Sequence, residues 1–106
     1  MIKNLDPQIV WKNFYELTQI PRPSKHEELA VEYMYNWGVS HGLETIKDEV
    51  ANIIIRKPAT PGCENMKGVI LQGHIDMVPQ KNADTVHDFE KDPIQTWIDG
   101  EWVKAK

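Results

Sequence analysis

At Gly42 the sequence changes its period, and that change limits the fold more than any other single feature. Before it, apolar residues recur at helical spacing: Val10, Phe14 and Leu17, then Leu29, Ala30, Tyr33, Met34 and Trp37. An i, i+3, i+4, i+7 pattern marks one covered face of a helix. After it, the apolar residues are β-branched and bunched, as in Asn52-Ile53-Ile54-Ile55-Arg56 and Val69-Ile70-Leu71. Short β-branched runs favour strands. Two helices followed by strands predict a layered α/β fold, the helices leading into a mixed sheet.

The helical part has clear punctuation. Asp6-Pro7 supplies a capping residue and a proline for the first turn of a helix over residues 6–19, with Val10, Phe14 and Leu17 as its buried stripe. Ile20-Pro21-Arg22-Pro23 ends it, since proline cannot donate and pushes its predecessor out of the helical region. Ser24-Lys25-His26-Glu27 then matches the capping box, in which Ser24 covers the amide of Glu27 and Glu27 reaches back. Gly42 stands where a left-handed carboxyl-terminal cap is expected.

Residues 43–47 and 52–56 read as two strands joined through Asp48-Glu49, a hairpin. Residues 58–65 form a loop by their proline and glycine content. Residues 68–73, apolar through Leu71 and closed by Gly73, read as a central strand covered on both faces, with Val69 and Leu71 to one side and Ile70 to the other. Residues 95–98 and 101–104 flank Asp99-Gly100, a two-residue hairpin turn.

Composition narrows the function. The formal charge is −4 and the pI about 5.5, with Lys and Arg scattered. No basic stripe exists to neutralise a run of phosphates, which argues against nucleic acid as a partner. No apolar run is longer than three residues, as in Val69-Ile70-Leu71, far short of a membrane span, and no positively charged, apolar leader is expected at the start of the chain. Cys63 is the single cysteine, in a loop with no activating base beside it, so neither a disulfide framework nor a thiolate zinc cluster is available. The expected setting is a reducing cytoplasm. Any metal must be held by imidazole and carboxylate. At 106 residues the chain is one domain or part of one.

Chemistry concentrates in Leu71-Gln72-Gly73-His74-Ile75-Asp76-Met77-Val78-Pro79. In extended chain, residues two apart point to the same side, about 6.5 Å apart at Cα. Asp76 can therefore accept a hydrogen bond from one nitrogen of His74 while the other faces a metal, which fixes the tautomer. Open α/β sheets place their sites at such strand ends. Spacing alone leaves a second reading open, a structural histidine bonded to a nearby carboxylate.

The wider stretch, residues 71–82, closely resembles the first zinc-ligand motif of aminoacylhistidine dipeptidases. These form the peptidase D, carnosinase-like branch of the dinuclear-zinc aminopeptidase and carboxypeptidase superfamily. The resemblance extends through Ile20-Pro21-Arg22-Pro23-Ser24-Lys25-His26-Glu27-Glu28, Asn52-Ile53-Ile54-Ile55-Arg56-Lys57, His87-Asp88-Phe89, Asp92-Pro93-Ile94 and Asp99-Gly100-Glu101-Trp102, nearly the whole chain.

It implies that residues 1–106 are the amino-terminal portion of the catalytic domain of a zinc-peptidase α/β/α sandwich, without the second domain. His74 would ligate one of two zinc ions, and Asp76 would serve as the catalytic-site carboxylate that orients His74. In the family a bridging aspartate, a glutamate general base and the remaining ligands follow downstream of the matched region. The parent is thus expected to be a cytoplasmic, homodimeric metallo-dipeptidase acting on small peptides, preferentially Xaa-His, while the 106 residues alone are inactive. A tripeptidase or amino-acid deacylase on the same scaffold, or a non-catalytic truncated product, are the alternatives. His26, His41 and His87 read as structural, as do the four tryptophans.

Overall fold

Proline and glycine set the element boundaries much as the sequence suggests. In the computed structural model, which describes all 106 residues, a 3₁₀ turn at Ile2–Asn4 precedes α1 (Gln8–Thr18) and α2 (Glu28–Ser40). Four short strands follow: β1 (Glu44–Lys47), β2 (Ile53–Arg56), β3 (Thr96–Asp99) and β4 (Trp102–Ala105). Helices lead into strands, the α/β order expected. The strands form two separate two-stranded antiparallel sheets in place of one mixed sheet. The one parallel pairing is an isolated bridge between Pro23 and Met77. No helix is long and apolar enough to cross a membrane.

Internal contacts divide the chain into two units, residues 1–30 with 76–106, and residues 31–75. In the first unit Ile2 is 1% exposed and anchors the 3₁₀ turn, which packs on α1 and β3. Pro7, not Asp6, occupies the amino-terminal cap of α1, and its carbonyl accepts from the amides of Val10 (3.0 Å) and Trp11 (3.3 Å). The expected buried stripe is covered only at Leu17: Val10 is 57% and Phe14 44% exposed. The covered side lies nearer Thr18, which is buried, with Trp11, Tyr15 and Leu17 half-buried. Helical spacing identifies a face that favours burial, but neighbours decide which face is covered. The Thr18 hydroxyl donates to the Tyr15 carbonyl (2.6 Å), and the Thr18 carbonyl accepts from the Ile94 amide (2.8 Å), so this buried polar residue is satisfied.

β3 and β4 pair through Ile98–Val103 and Asp99–Trp102, which moves the expected turn by one residue to Gly100-Glu101. Gly100 takes φ +61°, the sign that the first central position of a type II′ hairpin turn requires.

In the second unit α2 ends as its sequence predicts. Gly42 adopts φ +69°, its amide bonds to the Val39 carbonyl (2.9 Å), and Leu43 bonds to Gly38 (3.1 Å), the paired bonds of a Schellman cap. β1 and β2 form the expected hairpin, Thr45 opposite Ile55 and Ile46 opposite Ile54. Asp48 organises its turn, accepting from the amides of Val50 (3.0 Å) and Asn52 (2.8 Å) and from the Asn52 side chain (2.8 Å). Gly38 packs against this hairpin so tightly that a Cβ there would collide with the Thr45 hydroxyl.

The central buried strand expected over residues 68–73 is absent. That segment belongs to no ladder, and Val69, Ile70 and Leu71 are 82%, 92% and 93% exposed. A strand exists only where neighbouring backbone satisfies its amides and carbonyls, and β1 and β2 pair with each other alone.

Candidate functional site

The site is assembled in the first unit from two extended segments far apart in sequence. Pro21 and Pro23 hold residues 20–23 extended, and Pro23 is buried. The Met77 amide bonds to the Arg22 carbonyl (2.9 Å), and the Ser24 amide bonds to the Met77 carbonyl (3.0 Å). Arg22 turns its guanidinium back onto the end of α1, donating to the carbonyls of Leu17 and Ile20, and partial burial pulls its pKa down. Asp76 is held half-buried beside this bridge, and its Oδ2 accepts a 2.6 Å hydrogen bond from the Ser24 hydroxyl.

Ser24 therefore does not cap α2. The helix begins at Glu28, separated from Ser24 by a turn in which Lys25 takes φ +74° and the His26 amide bonds to the Pro23 carbonyl (2.9 Å). Glu27 does reach back, but to the amide of Lys25 (2.6 Å). Local pattern alone does not separate the two fates of this serine. The signal that does point to the second is the pair of prolines, which keep the preceding residues extended and able to bridge.

Of the residues singled out from the sequence, Asp76 lies in the first unit and His74 in the second, exposed, at the end of the uncovered segment 68–73. No three His, Cys, Asp or Glu side chains converge to hold a metal ion. A catalytic zinc normally takes three protein ligands.

The other histidines have structural surroundings. His26 lies 3.5 Å from Glu90, both largely exposed. His41 stacks on Trp37 at 3.9 Å between ring centroids, with Nδ1 2.7 Å from the Trp37 carbonyl. His87 meets Phe89 edge to face at 4.9 Å. Cys63 is an exposed free thiol. A shallow groove of about 360 Å³ runs beside the bridge, bordered by Pro21, Met77, Thr85, His87, Phe89 and Ile94.

No protein-family model matches the chain. It is 57% identical over 105 residues to the cytosol non-specific dipeptidase of Escherichia coli, covering 99% of this chain and 22% of that protein. Its structure superposes on the crystal structure of aminoacylhistidine dipeptidase from Vibrio alginolyticus with a TM-score of 0.96 and 55% identity, over 100% of this chain and 22% of that one. The chain thus spans about a fifth of the length of either relative. Over that fifth, it is similar in sequence to both dipeptidases and in fold to the aminoacylhistidine dipeptidase.

Proposed function

We propose that the protein carrying this chain hydrolyses dipeptides with the help of two zinc ions, that His74 ligates one of them, and that Asp76 orients the His74 imidazole. The observation that carries the reading is identity above one half, sustained along the entire chain, to two dipeptidases. Bound zinc polarises a carbonyl and lowers the pKa of its water. The part of this chain is to present one imidazole nitrogen while Asp76 accepts a hydrogen bond from the other, which holds the ring and raises its basicity.

The preferred substrates are Xaa-His dipeptides, the protein is cytoplasmic and homodimeric, and residues 1–106 are the amino-terminal portion of its catalytic domain. The names of the two relatives differ in breadth, one non-specific and one aminoacylhistidine; a panel of dipeptides with and without carboxyl-terminal histidine decides between them. The 106 residues alone are inactive, because the remaining ligands and the general base are contributed by further polypeptide. Zinc content after dialysis and dipeptide turnover, measured on the 106-residue chain and on the longer protein, test this together. Stoichiometric zinc or turnover above background in the short chain would overturn the placement of the site. Tripeptides and N-acyl amino acids belong in the same assay, since a tripeptidase or deacylase on this scaffold would process them preferentially.

A further inference from the structure

Ser24 is spent neither on the helix it precedes nor on solvent. Its hydroxyl carries a single proton, and two acceptors lie in range: Oδ2 of Asp76 at 2.6 Å and the Met77 carbonyl at 3.3 Å. The short distance to an ionised oxygen is that of a charge-assisted O–H···O⁻ bond, about twice as strong as a neutral one. The donor is also held in place. The bridge ties the backbone at Ser24 and two residues before it, Ser24 amide to Met77 carbonyl and Met77 amide to Arg22 carbonyl, and Pro23 between them has its φ locked. Donor and carboxylate are 52 residues apart in the chain, so nothing local imposes their meeting.

We propose that Ser24 is a positioning residue for Asp76: its hydroxyl holds Oδ2 and thereby fixes the rotamer of the carboxylate. This rests on the function proposed above. A carboxylate that orients a ligand is useful only if its own rotamer is fixed, and groups supporting a ligand in this way typically contribute about 10–100-fold to affinity or activity.

The test uses the full-length protein, comparing wild type, Ser24→Ala, Ser24→Thr and Asp76→Asn with the double variant Ser24→Ala/Asp76→Asn. Removing the hydroxyl should lower kcat about 10-fold or more, with KM within about twofold and zinc content unchanged. Threonine, which keeps the hydroxyl, should restore most of the rate. In the Asp76→Asn background, Ser24→Ala should cost less than about twofold, because a residue acting only through Asp76 has nothing left to position. Thermal unfolding run alongside separates this from a folding defect. An unchanged kcat in Ser24→Ala, failure of Ser24→Thr to restore the rate, or a full additional loss in the double variant would overturn the role of Ser24 and leave the proposed function standing. A wild-type protein without dipeptidase activity, or one keeping zinc and rate after His74→Ala, would instead overturn the proposed function and this role with it.

Discussion

The residues on either side of His74 have opposite fates. Val69-Ile70-Leu71, before it, is apolar throughout and is almost wholly exposed. Asp76-Met77, after it, includes a carboxylate, yet it is bridged to Arg22 and Ser24 through two backbone bonds and one side-chain bond. Apolarity states what a segment would gain from cover. Whether cover exists depends on what else the chain brings alongside. The bridged segment has such a neighbour because Pro21 and Pro23 keep residues 20–23 extended with an amide and a carbonyl to offer.

The strongest challenge to the contrast lies at its junction. In the full-length protein, His74→Ala should remove zinc from one site and abolish turnover, while Asp76→Asn should keep zinc and lower kcat about 10–100-fold. Equal zinc loss in both variants, by metal analysis, would make Asp76 a direct ligand.

Proline scanning probes the two segments themselves. Met77→Pro deletes the amide that bonds to Arg22 and should destabilise the chain by about 1–3 kcal/mol in chemical denaturation. Val69→Pro removes no ladder bond and should cost less than about 0.5 kcal/mol. Comparable costs would show that residues 68–73 are paired in solution.

A tightly packed position in the second unit offers an internal control. Gly38→Ala gains about 1 kcal/mol of helix propensity but places Cβ against the Thr45 hydroxyl, where overpacking costs about 1–3 kcal/mol. A net loss is expected, and Thr45→Ala in the same chain should relieve it.

Ile70→Asp should leave the unfolding free energy within about 0.5 kcal/mol of wild type and reduce concentration-dependent association, because an exposed apolar segment with unpaired backbone is a template for edge pairing. Light scattering at increasing concentration measures the second effect.

The smallest effect concerns pH. The bonds from the Asn52 side chain, and then from its amide, hold the Asp48 carboxyl below its ordinary 3.8. A depressed folded-state pKa gives stability that is fully present above the unfolded value and is lost as pH falls through the folded one. Acidification below about pH 4 should therefore loosen the β1–β2 turn, and Asn52→Ala should weaken this acid sensitivity. Amide exchange at Val50 and Asn52 reads it out.

Features that depend on a few adjacent residues are legible in the amino-acid order. The Gly42 cap, the β1–β2 hairpin and the end of α1 ahead of Pro21 all follow from backbone sterics and hydrogen bonds within a few residues. The β3–β4 hairpin is legible too, though its turn lies one residue later, at Gly100-Glu101. Spacing from His74 singles out Asp76. Its bond to Ser24 is not legible, because Ser24-Lys25-His26-Glu27 satisfies a helix-capping pattern equally well and the acceptor lies 52 residues away.

By itself, then, the sequence determined where helices stop, where the chain turns, and which residues could carry chemistry, since each of these is set by short-range geometry and side-chain type. Tertiary structure alone decided that Val10 and Phe14 face outward, that residues 68–73 form no strand in this chain, and that Ser24 serves Asp76 in place of α2. Burial and pairing are properties of two surfaces, and a pattern in one segment specifies only its own half of the contact.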